Sequence, residues 1–81
     1  MSIRILFFAS LADLAGAREI KLDATGFADV GSVFDKFAKD FPPLERYRTS
    51  IHFALNSEFA RPDSPVRDGD EIAFFPPVSG G

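Results

Sequence analysis

Residues 29–41 read Asp29-Val30-Gly31-Ser32-Val33-Phe34-Asp35-Lys36-Phe37-Ala38-Lys39-Asp40-Phe41. Val30, Val33, Phe34, Phe37, Ala38 and Phe41 recur at alternating steps of three and one, which builds one apolar stripe at the helical period. Asp29 is a good N-cap residue. Pro42-Pro43 ends the run, because a proline disfavours helical backbone in the residue before it. A single amphipathic helix in a short chain must bury its stripe against something, and the flanking sequence supplies strands.

On the N-terminal side, Ile3 to Ala9 is rich in β-branched and aromatic residues and reads as a strand. Alternation places Ile3, Ile5, Phe7 and Ala9 on one face and Arg4, Leu6 and Phe8 on the other. Ser10 is a candidate cap for a short helical stretch, Leu11 to Leu14, ending near Gly16. Glu19 to Leu22 alternates polar and apolar and reads as a second strand, paired with the first across a long connection.

On the C-terminal side, Leu44 to Ser50 reads as a polar connection. Ile51, Phe53 and Leu55 share one strand face, and His52 and Ala54 the other. Asn56-Ser57 is a turn candidate before a short strand at Glu58 to Ala60. Arg61 to Asp70 holds two prolines and Asp68-Gly69-Asp70, which marks loop and tight turn. Glu71 to Phe75 is the last strand. The fold class is therefore α+β: a small mixed sheet with one main helix packed across one face. The ubiquitin-like β-grasp is the best-known arrangement of this kind. Periodicity gives the layers and leaves the strand order open.

Composition bounds the function. The 81 residues make one domain, whose core must be aromatic, with ten Phe, one Tyr and no Trp. Twelve acids against nine bases give a net charge of -3, which argues against nucleic acid as a partner. The absence of Cys excludes disulfides, thiolate metal sites and a cysteine nucleophile. The lone His52 cannot build a multi-histidine metal site. No apolar run approaches the ~20 residues of a membrane span. Met1-Ser2-Ile3-Arg4 reads as a strand start rather than a signal peptide, so the expected compartment is the cytoplasm.

The chain divides into a globular part, 1–75, and an extended tail, 76–81. Pro76 and Pro77 have no N–H to donate, so they stop the sheet ladder and favour an extended exit. Six extended residues reach at most about 20 Å. Gly80 and Gly81 carry no side chain, so the tip can enter a narrow channel. The expected chemical group is the Gly81 carboxylate. Joined to AMP by a partner enzyme, it becomes a mixed anhydride that a sulfur nucleophile can open. A frayed, passive tail is the plain alternative.

The opening, Ile5-Leu6-Phe7-Phe8-Ala9-Ser10-Leu11-Ala12-Asp13-Leu14-Ala15-Gly16, resembles the start of the molybdopterin synthase small-subunit (MoaD) family of sulfur carriers. The ending, Asp68-Gly69-Asp70-Glu71-Ile72-Ala73-Phe74-Phe75-Pro76-Pro77-Val78-Ser79-Gly80-Gly81, resembles that family more closely still, and Asn56 also fits. The resemblance implies a β-grasp fold and a thiocarboxylate on Gly81. It implies a ubiquitin-activating-type adenylating enzyme that uses ATP and Mg²⁺, and a sulfur-donor protein. It further implies a large synthase subunit that receives Gly80-Gly81 and passes the sulfur to cyclic pyranopterin monophosphate. The implied assembly is a heterotetramer with two small and two large subunits, in which this chain is part of a sulfurtransferase but not catalytic alone. No cofactor or metal is expected on the chain itself. Many members carry a basic residue where this chain has Ala12, so any partner salt bridge from that position is in question. The thiamine-pathway sulfur carrier, which shares the fold and the Gly-Gly end, and a ubiquitin-like protein modifier are the alternatives.

If Ile3, Ile5 and Phe7 face the helix, Leu6 and Phe8 face outward, as do Ala54, Ala73 and Phe75, with Phe59 beside them. Several large apolar groups together on a small surface mark an interaction site. Leu6, Phe8, Phe59 and Phe75, with Pro76, Pro77, Val78 and Ser79 leading from them, form the expected partner-binding surface. His52 reads as a structural or surface histidine, Asp68, Asp70 and Glu71 as turn residues rather than a cation site, and Lys36 and Lys39 as solvated. Arg46 and Arg48 are open to an acidic partner.

Overall fold

The computed structural model describes residues 2–77. In chain order the elements are β1 (Ser2–Phe7), α1 (Ser10–Ala15), β2 (Glu19–Asp23), α2 (Val30–Asp40), a 3-10 helix (Pro42–Tyr47), β3 (His52–Leu55), β4 (Glu58–Ala60) and β5 (Glu71–Phe75). They build one five-stranded sheet in the order β2-β1-β5-β3-β4. The central pair, β1 and β5, runs parallel, and every other neighbour is antiparallel. This is the β-grasp arrangement: a mixed sheet with the main helix across one face.

Helix α2 begins where Asp29 predicts. The Ser32 N–H donates to Asp29 Oδ1 at 2.8 Å, and the Asp29 N–H donates back to Ser32 Oγ at 3.2 Å, a reciprocal cap. The two preceding donors of the helix are satisfied by the 61–70 loop. Val30 N–H donates to the Ser64 carbonyl at 3.0 Å and Gly31 N–H to the Pro62 carbonyl at 2.8 Å. The approach is close enough that a Cβ on Gly31 would stand 3.0 Å from the Pro62 carbonyl oxygen. At the other end, Pro42-Pro43 stop α2 and then start the 3-10 helix, with proline in its first turn, where the missing N–H costs nothing. The expected polar connection is thus partly helical, and Leu44 within it is buried.

The apolar stripe of α2 and the inner sheet face form one core. Ile3, Ile5, Phe7, Phe53, Ile72 and Phe74 come from the sheet and Val30, Val33, Phe34, Phe37 and Ala38 from the helix. Phe74 is its centre, with ring centroids 5.4 Å from Phe53, 5.5 Å from Phe7 and 5.7 Å from Phe34, mostly edge-to-face. No polar side chain is buried among the described residues. Phe41, expected at the end of the stripe, caps the helix and is half-buried.

Two local expectations are corrected. Ala9 does not extend the inner face of β1. The strand stops at Phe7, and Ala9 is exposed with φ 52° and ψ −131°, a conformation that favours glycine. Ser10 is the first residue of α1 rather than its cap, and the capping position, Ala9, has no side-chain acceptor. Gly16 ends α1 as expected, at φ 75° in the left-handed region. Asn56 and Ser57 both take positive φ, 52° and 72°, as a two-residue turn between antiparallel strands requires.

Candidate functional site

The outer sheet face carries the candidate site. Registry places its side chains in rows across the strands. Leu6 pairs with Ala73, Ala73 with Ala54, and Ala54 with Phe59. His52 pairs with Phe75, and the Phe8 and Phe75 rings stack with centroids 4.5 Å apart. The two small residues, Ala54 and Ala73, leave a hollow of about 280 Å³ whose rim includes Leu6, Phe8, Phe59 and Phe75. It adjoins a nearly all-apolar groove of about 440 Å³ lined by Phe8, Ala9, His52, Phe59, Phe75 and Pro76.

All four aromatic or aliphatic residues expected on this face therefore lie together. Phe59 is 89% exposed and Phe8 42%, and among the described residues they are the large apolar side chains the fold leaves open. Leu6 and Phe75 are half-buried, Phe75 partly by its stack on Phe8. Pro76 and Pro77 are half-buried where the chain leaves the sheet. Val78, Ser79, Gly80 and Gly81, the remaining residues of the expected site, lie outside the described residues.

His52, an ordinary structural or surface histidine by sequence, is exposed, and it also lines the groove at the root of the tail. Alternation puts it on the outer face, but only the β3–β5 register sets it opposite Phe75. Ala9 escapes sequence reasoning for a similar reason: alternation assigns it to the core face, whereas it lines the groove.

One border of the face is charged. Arg4 reaches Glu19 at 3.1 Å and Glu71 at 3.3 Å, so the guanidinium bridges β2 and β5. Arg4 and Glu19 are exposed and Glu71 is half-buried, and the pairs add little stability. Asn56 locks the β3–β4 turn to the start of β5: its Oδ1 accepts from the Glu71 N–H at 3.0 Å, and its Nδ2 donates to Asp70 Oδ1 at 2.9 Å. Asp70 Oδ2 accepts from the Arg67 N–H and Asp68 Oδ1 from the Ser2 N–H, both at 2.7 Å. The Asp68 and Asp70 carboxylates thus accept from backbone donors, and Asp70 also from the Asn56 amide, as the acids of a tight turn do. Among the described residues no cluster of three or more metal-ligating side chains occurs. No helix among them is long and apolar enough to cross a membrane.

On the helical side, a second hollow of about 490 Å³ is lined by charged residues including Asp35, Lys36, Glu45 and Arg48. Arg48 is hydrogen-bonded to Glu45 and Asp35 and lies over the Phe34 ring, 5.3 Å from its centroid. Those bonds raise its pKa further and hold the Glu45 carboxyl below the usual carboxylate range. Arg48, open to an acidic partner in sequence, is thus committed within the chain. Lys36 pairs with Asp40 one turn on. Among the described residues, the sheet face is where large apolar side chains are left without a cover.

Comparison with known proteins agrees with this geometry. The molybdopterin synthase sulfur carrier subunit of Chlamydomonas reinhardtii is 34% identical over 100% of both chains. Its Escherichia coli namesake is also 34% identical, covering 98% of this chain and 99% of the relative. Small archaeal modifier protein 1 of Haloferax volcanii is 38% identical over 91% of this chain and 94% of the relative. A crystal structure of that Haloferax protein matches with a TM-score of 0.83 and 37% identity over 100% of both chains. The ThiS family matches residues 5–81. The chain therefore belongs to the ThiS family, among the ubiquitin-like proteins that include the molybdopterin synthase sulfur carrier subunits.

Proposed function

We propose that this chain is the sulfur-carrier subunit of a molybdopterin synthase. The observation that carries the reading is the uncovered aromatic groove that runs up to Pro76, where the chain leaves the sheet toward Gly80-Gly81. A carrier must be gripped firmly beside its arm while the arm's tip reacts elsewhere. Full-length likeness to several sulfur carrier subunits supports the same reading.

The chemistry follows from a carboxylate at Gly81. A carboxylate is a poor acyl donor. An adenylating enzyme with ATP and Mg²⁺ joins it to AMP and releases pyrophosphate. A persulfide on a donor protein displaces AMP to give an acyl disulfide, and a second thiol cleaves that to leave the thiocarboxylate. The large synthase subunit docks on Leu6, Phe8, Phe59 and Phe75. It receives Pro76, Pro77, Val78 and Ser79 along a channel, and sets the thiocarboxylate of Gly81 against cyclic pyranopterin monophosphate. Gly80 keeps the channel free of side-chain bulk. Sulfur transfer followed by hydrolysis returns the carboxylate, and two such transfers build the dithiolene. The groups that stabilise developing charge belong to the large subunit, so this chain is a substrate-like subunit of a sulfurtransferase and not an enzyme alone. Two carriers and two large subunits form the working heterotetramer, in the cytoplasm.

A second reading, protein modification, is favoured by the 38% identity to small archaeal modifier protein 1. There the same acyl-adenylate ends as an isopeptide bond to lysine. The thiamine-pathway carrier is the third, from the family as a whole. Intact mass separates them. Incubation with an adenylating enzyme, ATP and a sulfur donor gives the mass gain of oxygen replaced by sulfur. An unchanged mass with competent partners refutes both carrier readings. Adding the large subunit and the pterin precursor then yields molybdopterin, and a ladder of lysine conjugates instead identifies the modifier.

A further inference from the structure

Strand β5 is central, so its backbone groups alternate between two neighbours. Even-numbered residues face β1: the Arg4 N–H donates to the Asp70 carbonyl at 3.0 Å and the Phe8 N–H to the Phe74 carbonyl at 3.1 Å. Odd-numbered residues face β3: the Asn56 N–H donates to the Glu71 carbonyl at 2.8 Å. Continuing the register, the next donor owed to β1 is the N–H of residue 76, directed at the Phe8 carbonyl. The next donor owed to β3 is that of residue 77, directed at Ser50. Both residues are proline and have no N–H to give.

The neighbours turn away at the same points. The Phe8 carbonyl accepts from the Leu11 N–H at 3.1 Å, which closes the turn into α1 through the positive-φ Ala9. The Ser50 N–H donates to the Tyr47 carbonyl at 2.9 Å, within the turn that follows the 3-10 helix. One proline would silence only one flank of a central strand. Two consecutive prolines silence both.

We propose that Pro76 and Pro77 are paired positioning residues, Pro76 ending the β1 ladder and Pro77 the β3 ladder, so that Phe75 is the last rung and the reach of the chain beyond it is fixed. Each residue captured by an extra rung withdraws about 3.3 Å of reach from the arm. The consequence for sulfur loading rests on the function proposed above, whereas the hydrogen-bond assignment does not.

The test uses the full chain with P76A, with P77A, with both, and with N-methylalanine at both positions by semisynthesis. N-methylalanine removes the proline ring but still offers no N–H. Hydrogen exchange at the backbone amides that P76A and P77A introduce is expected to be slowed about tenfold against the same amides in an unstructured peptide. Loading of Gly81, followed by intact mass, is expected to slow about tenfold in the double alanine chain and to recover with N-methylalanine. New amides that exchange at the unstructured rate overturn the terminator assignment. N-methylalanine chains that load as slowly as the alanine chain overturn it as well, since the ring and not the missing donor then matters. A wild-type chain that never loads refutes the sulfur-carrier reading, and the exchange measurement alone then decides the terminator.

Discussion

The side chain of Phe59 is 89% exposed on the edge strand β4, so the folded chain gains little from it. Truncation by F59A is expected to change stability by less than about 0.5 kcal/mol, as for other exposed sites. For a domain this size that is a shift of at most about 4 °C in Tm. Docking is different. Covering a phenylalanine ring against an apolar partner is worth about 1.5–3 kcal/mol. If a large synthase subunit docks on this face as proposed, F59A is expected to weaken that binding by about 10- to 150-fold, at about 1.4 kcal/mol per decade. The assay is titration calorimetry with the large subunit, beside thermal unfolding of the free chain. An unchanged Kd refutes the docking role of the face, and a Tm loss beyond about 8 °C refutes the exposure of Phe59. Phe75 is a poorer probe, because it is half-buried and stacked 4.5 Å from Phe8, so a charge there disturbs fold and docking together.

Ala9 holds a backbone conformation suited to glycine, so A9G is expected to stabilise the chain. Strain relief of about 1–3 kcal/mol exceeds the entropic cost of glycine, about 0.5–1 kcal/mol, and Tm should rise; a fall shows that the conformation is unstrained. F74A removes the hub of the aromatic core and is expected to cost about 3–5 kcal/mol, much of the ~4–12 kcal/mol available to 81 residues. A two-state urea titration showing a loss below about 1 kcal/mol contradicts that packing. For pH, the hydrogen bonds from Arg48 depress the Glu45 pKa in the folded state. Its contribution is therefore present above the unfolded carboxylate value, about 4.3, and is lost as pH falls through the folded one. E45Q is expected to flatten the acid limb of the stability profile, and an identical limb in both chains contradicts the pairing.

What the sequence discloses depends on how local the cause is. The α2 stripe, its Asp29 cap and its proline stop are set within a short run of neighbours, and all three hold. The strands hold because alternation is equally local. The misplacement of Ala9 has a different origin: its inward assignment assumes that β1 continues, whereas β1 stops at Phe7 and Ala9, at φ 52°, turns the chain into α1. Leu44 reads as part of a polar connection because its burial comes from the docking of the 3-10 helix, which no period in the sequence announces. His52 can be placed on the outer face, but its seat in the groove needs the strand order.

Strand order also explains why the informative motifs lie at opposite ends of the sequence. Because β1 and β5 run parallel as central neighbours, the C-terminal ends of both strands emerge at the same border of the sheet. Phe8 and Phe75, far apart in sequence, become stacked rings, and the Ala9 turn comes to line the groove that ends at Pro76. An antiparallel β1–β5 pair would send the turn after β1 and the tail after β5 to opposite borders. The groove would then have no arm beside it. The opening motif and the ending motif are thus one structural unit, made so by a pairing that helical and strand periodicity cannot encode. A substitution at Phe8 and one at Pro76, which line the same groove, should therefore couple in a double-mutant cycle on partner binding, as residues sharing a cavity do. Strictly additive effects of the two substitutions on Kd would show instead that the motifs act separately.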